Sequence, residues 1–244
     1  MKNYLRRFAC ATMATVLLTL NACGDPGSSY FPLESGYWWE YVETVTTMDE
    51  TRANKRIIAN ADPIKVDGET VYPRHSVSGY TYYYRADDDG VLRIGGIEET
   101  SDDEIGTELS EAIAPNQYVL RFPLEVGTTW TMRSETAVLE MSGPPFDTLY
   151  QLSRPINMRY EITSLEENVR VAAGDFSDCL RIDGSGQVSI DVGGHLGRTT
   201  ISVETTDWYA PDVGLVKSER VETTTSQVLN RGSYQLELNE FRRL

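Results

Sequence analysis

The chain has 244 residues, with 37 Asp and Glu against 22 Lys and Arg, a formal charge of −15. So acidic a chain lacks the clustered cations that displace counterions from nucleic acid, and no nucleic-acid partner is expected. Its three cysteines, Cys10, Cys23 and Cys179, cannot supply a disulfide framework, so a hydrophobic core must hold the fold.

At the N-terminus, Lys2, Arg6 and Arg7 precede a short apolar run over residues 8–20, interrupted by Thr12, Thr15 and Thr19. Ala22 then stands before Cys23. This is the layout of a secretory signal over residues 1–22, and the run is shorter than the ~20 residues of a membrane-spanning helix. Leu20-Asn21-Ala22-Cys23 resembles the lipobox of bacterial lipoproteins, although Asn21 replaces the usual small or aliphatic residue. The resemblance implies a diacylglyceryl group on the Cys23 sulfur and an acyl chain on its amino group. At about 0.8 kcal/mol per buried methylene, several chains make a durable membrane anchor. Gly24, in place of Asp, follows the cysteine, which in many two-membrane bacteria implies the outer membrane, here on its periplasmic face. The alternative is a plain secreted protein.

Removal of residues 1–22 takes away three cations and no acid, leaving 19 Lys and Arg against 37 Asp and Glu, a formal charge of −18. Charge therefore does not draw the protein onto anionic lipid, and the anchor must hold it there. Residues 23–30 read as a lipidated tether, with a reach of about 15 Å if flexible.

Beyond the tether, short segments rich in Thr, Val, Ile and Tyr predict strands over residues 39–47, 55–60, 70–77, 80–85 and 91–94. Asp67-Gly68, Asp89-Gly90 and Gly193-Gly194 predict hairpin turns. Over residues 101–114, Ser101 and Glu104 form a capping box, Ile105, Leu109 and Ile113 share one helical face, and Pro115 stops it. A short helix between the halves is expected, with an acidic loop as the alternative. Strands follow over residues 130–139, 158–165, 179–182, 187–192, 199–209, 215–224 and 233–241, with Gly184-Ser185-Gly186 read as a turn between two of them.

Phe31-Pro32-Leu33-Glu34-x-Gly36-x-x-Trp39 returns as Phe122-Pro123-Leu124-Glu125-x-Gly127-x-x-Trp130, at an offset of 91 residues. Tyr82-Tyr83-Tyr84 before Gly90-Val91-Leu92-Arg93 is echoed by Asp207-Trp208-Tyr209 before Gly214-Leu215-Val216-Lys217. A duplicated β unit is the reading, with halves at 31–121 and 122–244. The first repeat, a run from Val171-Ala172-Ala173-Gly174 to Cys179-Leu180-Arg181-Ile182, and Trp208-Tyr209-Ala210-Pro211-Asp212-Val213-Gly214-Leu215-Val216-Lys217 together resemble a group of uncharacterised bacterial lipoproteins. The resemblance implies a mainly β fold of duplicated antiparallel sheet units forming an open or half barrel. It implies no reaction.

The chemistry-bearing residues do not assemble into a catalytic pattern. His75 and His195 lack neighbours at metal-ligand spacing. Asp87-Asp88-Asp89-Gly90 lacks the spacing of a calcium loop and reads as an Asp-stabilised turn. Cys179 reads as a buried, inert thiol. No serine elbow, phosphate loop or dinucleotide fingerprint is present, so neither an enzyme, a metal nor a cofactor is expected. The aromatic residues remain. Their plain role is core; the sharper one is that Trp38, Tyr82, Tyr84 and Trp208 line a surface for an apolar ligand or lipid. Trp38 and Trp39 must point to opposite faces of one strand. The expected function is a non-catalytic binding role in the periplasm, with an accessory subunit docked on an outer-membrane protein as the alternative and a hydrolase behind both.

Overall fold

The computed structural model describes residues 30–47, 50–98, 117–136, 140–143, 146–151, 153–191, 197–226 and 231–243. The expected helix, the Gly193-Gly194 turn, His195 and Cys23 lie outside them. Among the described residues the first half forms β1 (Tyr37–Thr46), β2 (Thr51–Asn60), β3 (Ile64–Val66), β4 (Glu69–Ser76), β5 (Tyr80–Asp87), β6 (Gly90–Glu98) and β7 (Gln117–Arg121). The second forms β8 (Thr129–Glu135), β9 (Glu140–Gly143), β10 (Phe146–Gln151), β11 (Pro155–Val171), β12 (Gly174–Asp191), β13 (Arg198–Ala210), β14 (Gly214–Thr224) and β15 (Gly232–Arg243).

Twelve strands follow one path, β7-β6-β5-β4-β2-β1-β15-β14-β13-β12-β11-β8, with β3 hung on β4 and β9–β10 a separate hairpin. All the pairings are antiparallel. Each half contributes six consecutive strands of an up-and-down meander, and β1 pairs with β15 to join them. The sheet edges β7 and β8 come within 8 Å of each other without forming a ladder. The result is one nearly closed barrel-like antiparallel sheet, open along the unpaired β7 and β8 edges. Both echoed hairpins, β5–β6 and β13–β14, are the fourth and fifth strands of their meanders. Both carry a bulge beside the matching tyrosine, Tyr84 or Tyr209.

Period-2 alternation decides which side chains enter the barrel. Tyr37, Trp39 and Tyr41 of β1 point inward and are 2–4 % exposed, while Trp38 faces out. Residues 30–36 cross the end of the barrel where β1 begins. Phe31 sits there between Tyr84 (centroids 5.1 Å apart) and Tyr209 (6.3 Å). Asn60 donates to the carbonyls of Pro32 and Glu34, both at 2.9 Å. Arg74 donates to the Pro32 carbonyl at 2.6 Å and lies over the Phe31 ring. The β11–β12 hairpin overreaches its neighbours and folds onto the same end, where the Ala173 amide donates to the Leu238 carbonyl at 3.1 Å.

One expectation fails. Gly184-Ser185-Gly186 is not a turn; it lies inside β12, one continuous strand. A Cβ on Gly184 would stand 2.5 Å from Thr205 Cγ2 and 2.7 Å from the Tyr160 ring, and one on Gly186 2.7 Å from the Asn157 carbonyl oxygen. These glycines make room for inward side chains, a role that shares its residue type with a turn.

Candidate functional site

Directly paired residues share a face of the sheet, so the ladders trace the inner wall. One row runs Trp130, Tyr160, Gly184, Thr205, Arg220, Tyr234 from β8 to β15. The next runs Ile162, Ile182, Asp207, Ser218, Leu236, Glu43. A wall built only to pack would be apolar throughout. This one carries the cations Arg56, Arg74, Arg93 and Arg220 and the carboxylates Glu43, Asp207 and Glu222 among its rings.

Arg220 reaches across the barrel. Its Nε donates to Glu222 Oε1 at 2.8 Å, and its Nη2 donates to the Glu135 carbonyl at 2.6 Å on β8. Glu222 is fully buried. Asp207 lies between Ile182 and Ser218, and burial pushes its carboxyl up to about 6, against the pull of the Ser218 hydrogen bond and the Arg220 charge. Since the unfolded chain ionises near 3.8, the native state holds the extra proton between those values and loses stability as pH rises through them. Asp207→Asn is therefore expected to stabilise the protein at pH 7.5, by up to about 3 kcal/mol, and to do nothing near pH 3.5. Urea unfolding of both proteins at the two pH values checks this; an equal effect at both would sink it.

On the other side of the barrel, Arg56 Nη1 meets Glu43 Oε1 at 3.4 Å and the Tyr234 hydroxyl at 3.3 Å. Tyr82 acts electrostatically on Arg56 and also lies under the Arg93 guanidinium, 5.9 Å from the ring centre. Arg93 pairs across the ladder with Tyr84, and its charge, with those of Asp207 and Arg220, reaches Tyr160. Burial holds the Tyr160 hydroxyl well above the usual phenol range. Trp130 stacks on Tyr160 at 5.6 Å and 16°. Three donors in this group, Arg56 Nε, Arg93 Nε and Trp130 Nε1, are buried without an acceptor. Arg93 has no carboxylate partner among the described residues.

The four aromatic candidates do not form one surface. Tyr82 and Tyr84 line the inner wall, Tyr84 as core; Trp38 and Trp208 stand on the outer wall. Trp38 lies under Arg242 at 5.0 Å, and Trp208 lies between Arg181 at 5.7 Å and Lys217 at 5.4 Å. Sequence reasoning missed Arg56, Arg93, Arg220 and Asp207. Their only signal was a charge at an inward position of an otherwise alternating strand.

His75 Nδ1 meets the Thr81 hydroxyl at 2.6 Å. Asp87 accepts from the Asp89 amide at 2.9 Å and from the Tyr118 hydroxyl at 3.1 Å, as a self-bonded turn should. Cys179 is fully buried, and burial pushes its thiol up to about 11, which makes it a poor nucleophile. No trio of His, Cys, Asp or Glu among the described residues could hold a metal ion. An open groove of about 350 Å³ on the outer wall runs past Arg159, Glu161, Arg181 and Asp183. Its charges largely answer one another: Asp183 accepts from Arg181, Thr163 and Thr206 at 2.9–3.0 Å.

No protein-family model and no curated protein matches the sequence. Two solved structures are similar. One is a protein taken to be exported, with a YmcC-like fold, from Bacteroides fragilis NCTC 9343: 15% identity, 88% of this chain and 99% of that one, TM-score 0.43. The other is a protein taken to be a lipoprotein from Parabacteroides distasonis ATCC 8503: 13% identity, 87% and 98%, TM-score 0.38.

Proposed function

We propose that the chain is a lipid-anchored bacterial envelope protein, held by Cys23 on the periplasmic face of the outer membrane. Its barrel is a non-catalytic binding module for an amphiphilic ligand bearing a phosphate or carboxylate. The anchor reading rests on the signal and on the Leu20-to-Cys23 lipobox. The binding reading rests on one observation: buried N–H donors of Arg56, Arg93 and Trp130 face the barrel interior without acceptors. Leaving such a donor unsatisfied costs about 1–3 kcal/mol. A ligand oxygen admitted among them recovers that cost, and a guanidinium favours an oxyanion. Tyr82 and the Trp130–Tyr160 stack supply the apolar contact. A pure hydrocarbon ligand fits less well, because it would have to lie against Arg93, Arg220 and Asp207 without solvating them.

Native mass spectrometry of the mature protein, extracted gently from the envelope that made it, tests this. The expected result is a reproducible bound mass whose fragments include a phosphate or carboxylate, absent from Arg93→Gln. A clean apo mass, or an adduct that Arg93→Gln retains, would remove the reading.

A further inference from the structure

We infer that the outer wall around Trp38 and Trp208 rests on the headgroup layer of the membrane that carries the anchor. This rests on the lipid anchor at Cys23 and is independent of any ligand inside the barrel. Six residues, 24–29, separate Cys23 from Tyr30. Even fully extended they span no more than about 25 Å between Cys23 and Tyr30. Residues 30–36 cross one particular end of the barrel: Tyr30 donates to the Asp178 carbonyl at 2.9 Å, and Gly214 lies against Pro32. The bilayer surface is thus confined near that end.

The two outward tryptophans stand at the same end. Trp38 is the second residue of β1, and Trp208 lies two residues before β13 finishes. Each half-buried ring is flanked by cations, Arg242 for one and Arg181 with Lys217 for the other. An amphipathic indole beside long basic side chains is the chemistry that settles at a lipid–water interface. Each of these cations is also matched to a carboxylate: Arg242 to Glu240, Lys217 to Glu219 and Glu237, Arg181 to Asp183. The contact is therefore interfacial and not coulombic, in keeping with the acidity of the whole chain.

The protein carries its own reporters, since the other two of its four tryptophans, Trp39 and Trp130, point into the barrel. The lipidated full chain is reconstituted in phosphatidylcholine vesicles with or without chain-brominated lipid, a short-range quencher. Emission is expected to fall in the brominated vesicles, and the fall to vanish in Trp38→Phe/Trp208→Phe. Should that double variant fold poorly, the two single variants are expected to divide the same loss. Protein that floats with vesicles but shows no quenching, or equal quenching in wild type and variants, overturns the docking and leaves the anchor standing. Wild-type protein that does not float, like Cys23→Ala, overturns the anchor and the docking together.

Discussion

Trp39→Ala is expected to destabilise the protein by about 3–5 kcal/mol, the range for emptying a large aromatic site in a core. The ring is 2 % exposed and packs among Tyr37 (5.7 Å), Phe241 (6.3 Å) and the Arg74 guanidinium (4.8 Å). Its Nε1 donates to the Val213 carbonyl at 2.7 Å, so it also ties β1 to the start of β14. Alanine opens a cavity and deprives that carbonyl of its donor at once. Trp130, at the matching place in the second half, offers a built-in comparison. It is only partly buried, stacks on one ring, and has no acceptor for its Nε1. Trp130→Ala should therefore cost less, below about 3 kcal/mol. Urea unfolding followed by circular dichroism measures both. Equal losses, or a loss under about 1.5 kcal/mol for Trp39→Ala, would show that the two positions are not inequivalent in the way described.

The second large effect lies at Glu222. Removing one member of a buried ion pair strands the other charge, at a typical cost of 3–5 kcal/mol. Arg220 retains the Glu135 carbonyl and lies within reach of Asp207, so Glu222→Ala is expected near the lower end, about 3 kcal/mol. Replacing the pair together, as Arg220→Met with Glu222→Leu, should recover most of that loss, because neither charge is then left unpaired. The test is a double-mutant cycle in urea. A coupling energy under about 0.5 kcal/mol, as between independent sites, would mean that the 2.8 Å contact contributes nothing specific.

The strands were legible wherever sequence pattern and environment agreed. Tyr80 to Arg85 and residues 215–224 fall where alternation and punctuation put them. The turn expected at Asp89-Gly90 falls one residue earlier, at Asp88-Asp89, with Gly90 already paired to Asp87. The opposed faces of Trp38 and Trp39 followed from the same periodicity. Gly184 defeated that logic, because glycine is chosen both for turning a chain and for making room, and only the neighbouring Tyr160 and Thr205 tell which. The four-residue aromatic set split for a related reason. Adjacent strands contribute to both faces, and no single sequence says which face of one strand meets which of another. The inward charges were the least visible part. Arg93 and Arg220 look like ordinary surface residues until the ladders are drawn, since 24% of the chain is charged and most strands carry such residues.

The pairing of β1 with β15 has a bearing on how this protein is made. Every other ladder on the main path joins strands that are near neighbours along the chain, so the sheet can grow hairpin by hairpin as the polypeptide emerges. Tyr37 meets Arg243 only once β15 has emerged. Until then β1 is a ten-residue edge with its amide row open, close to whatever other copies are emerging nearby. Closure across some two hundred residues of intervening chain is the slow kind of contact. Of the strands on this path, the last to be made is thus the one that protects the first, and a chain cut short before β15 would leave the edge of β1 open beside residues 30–36.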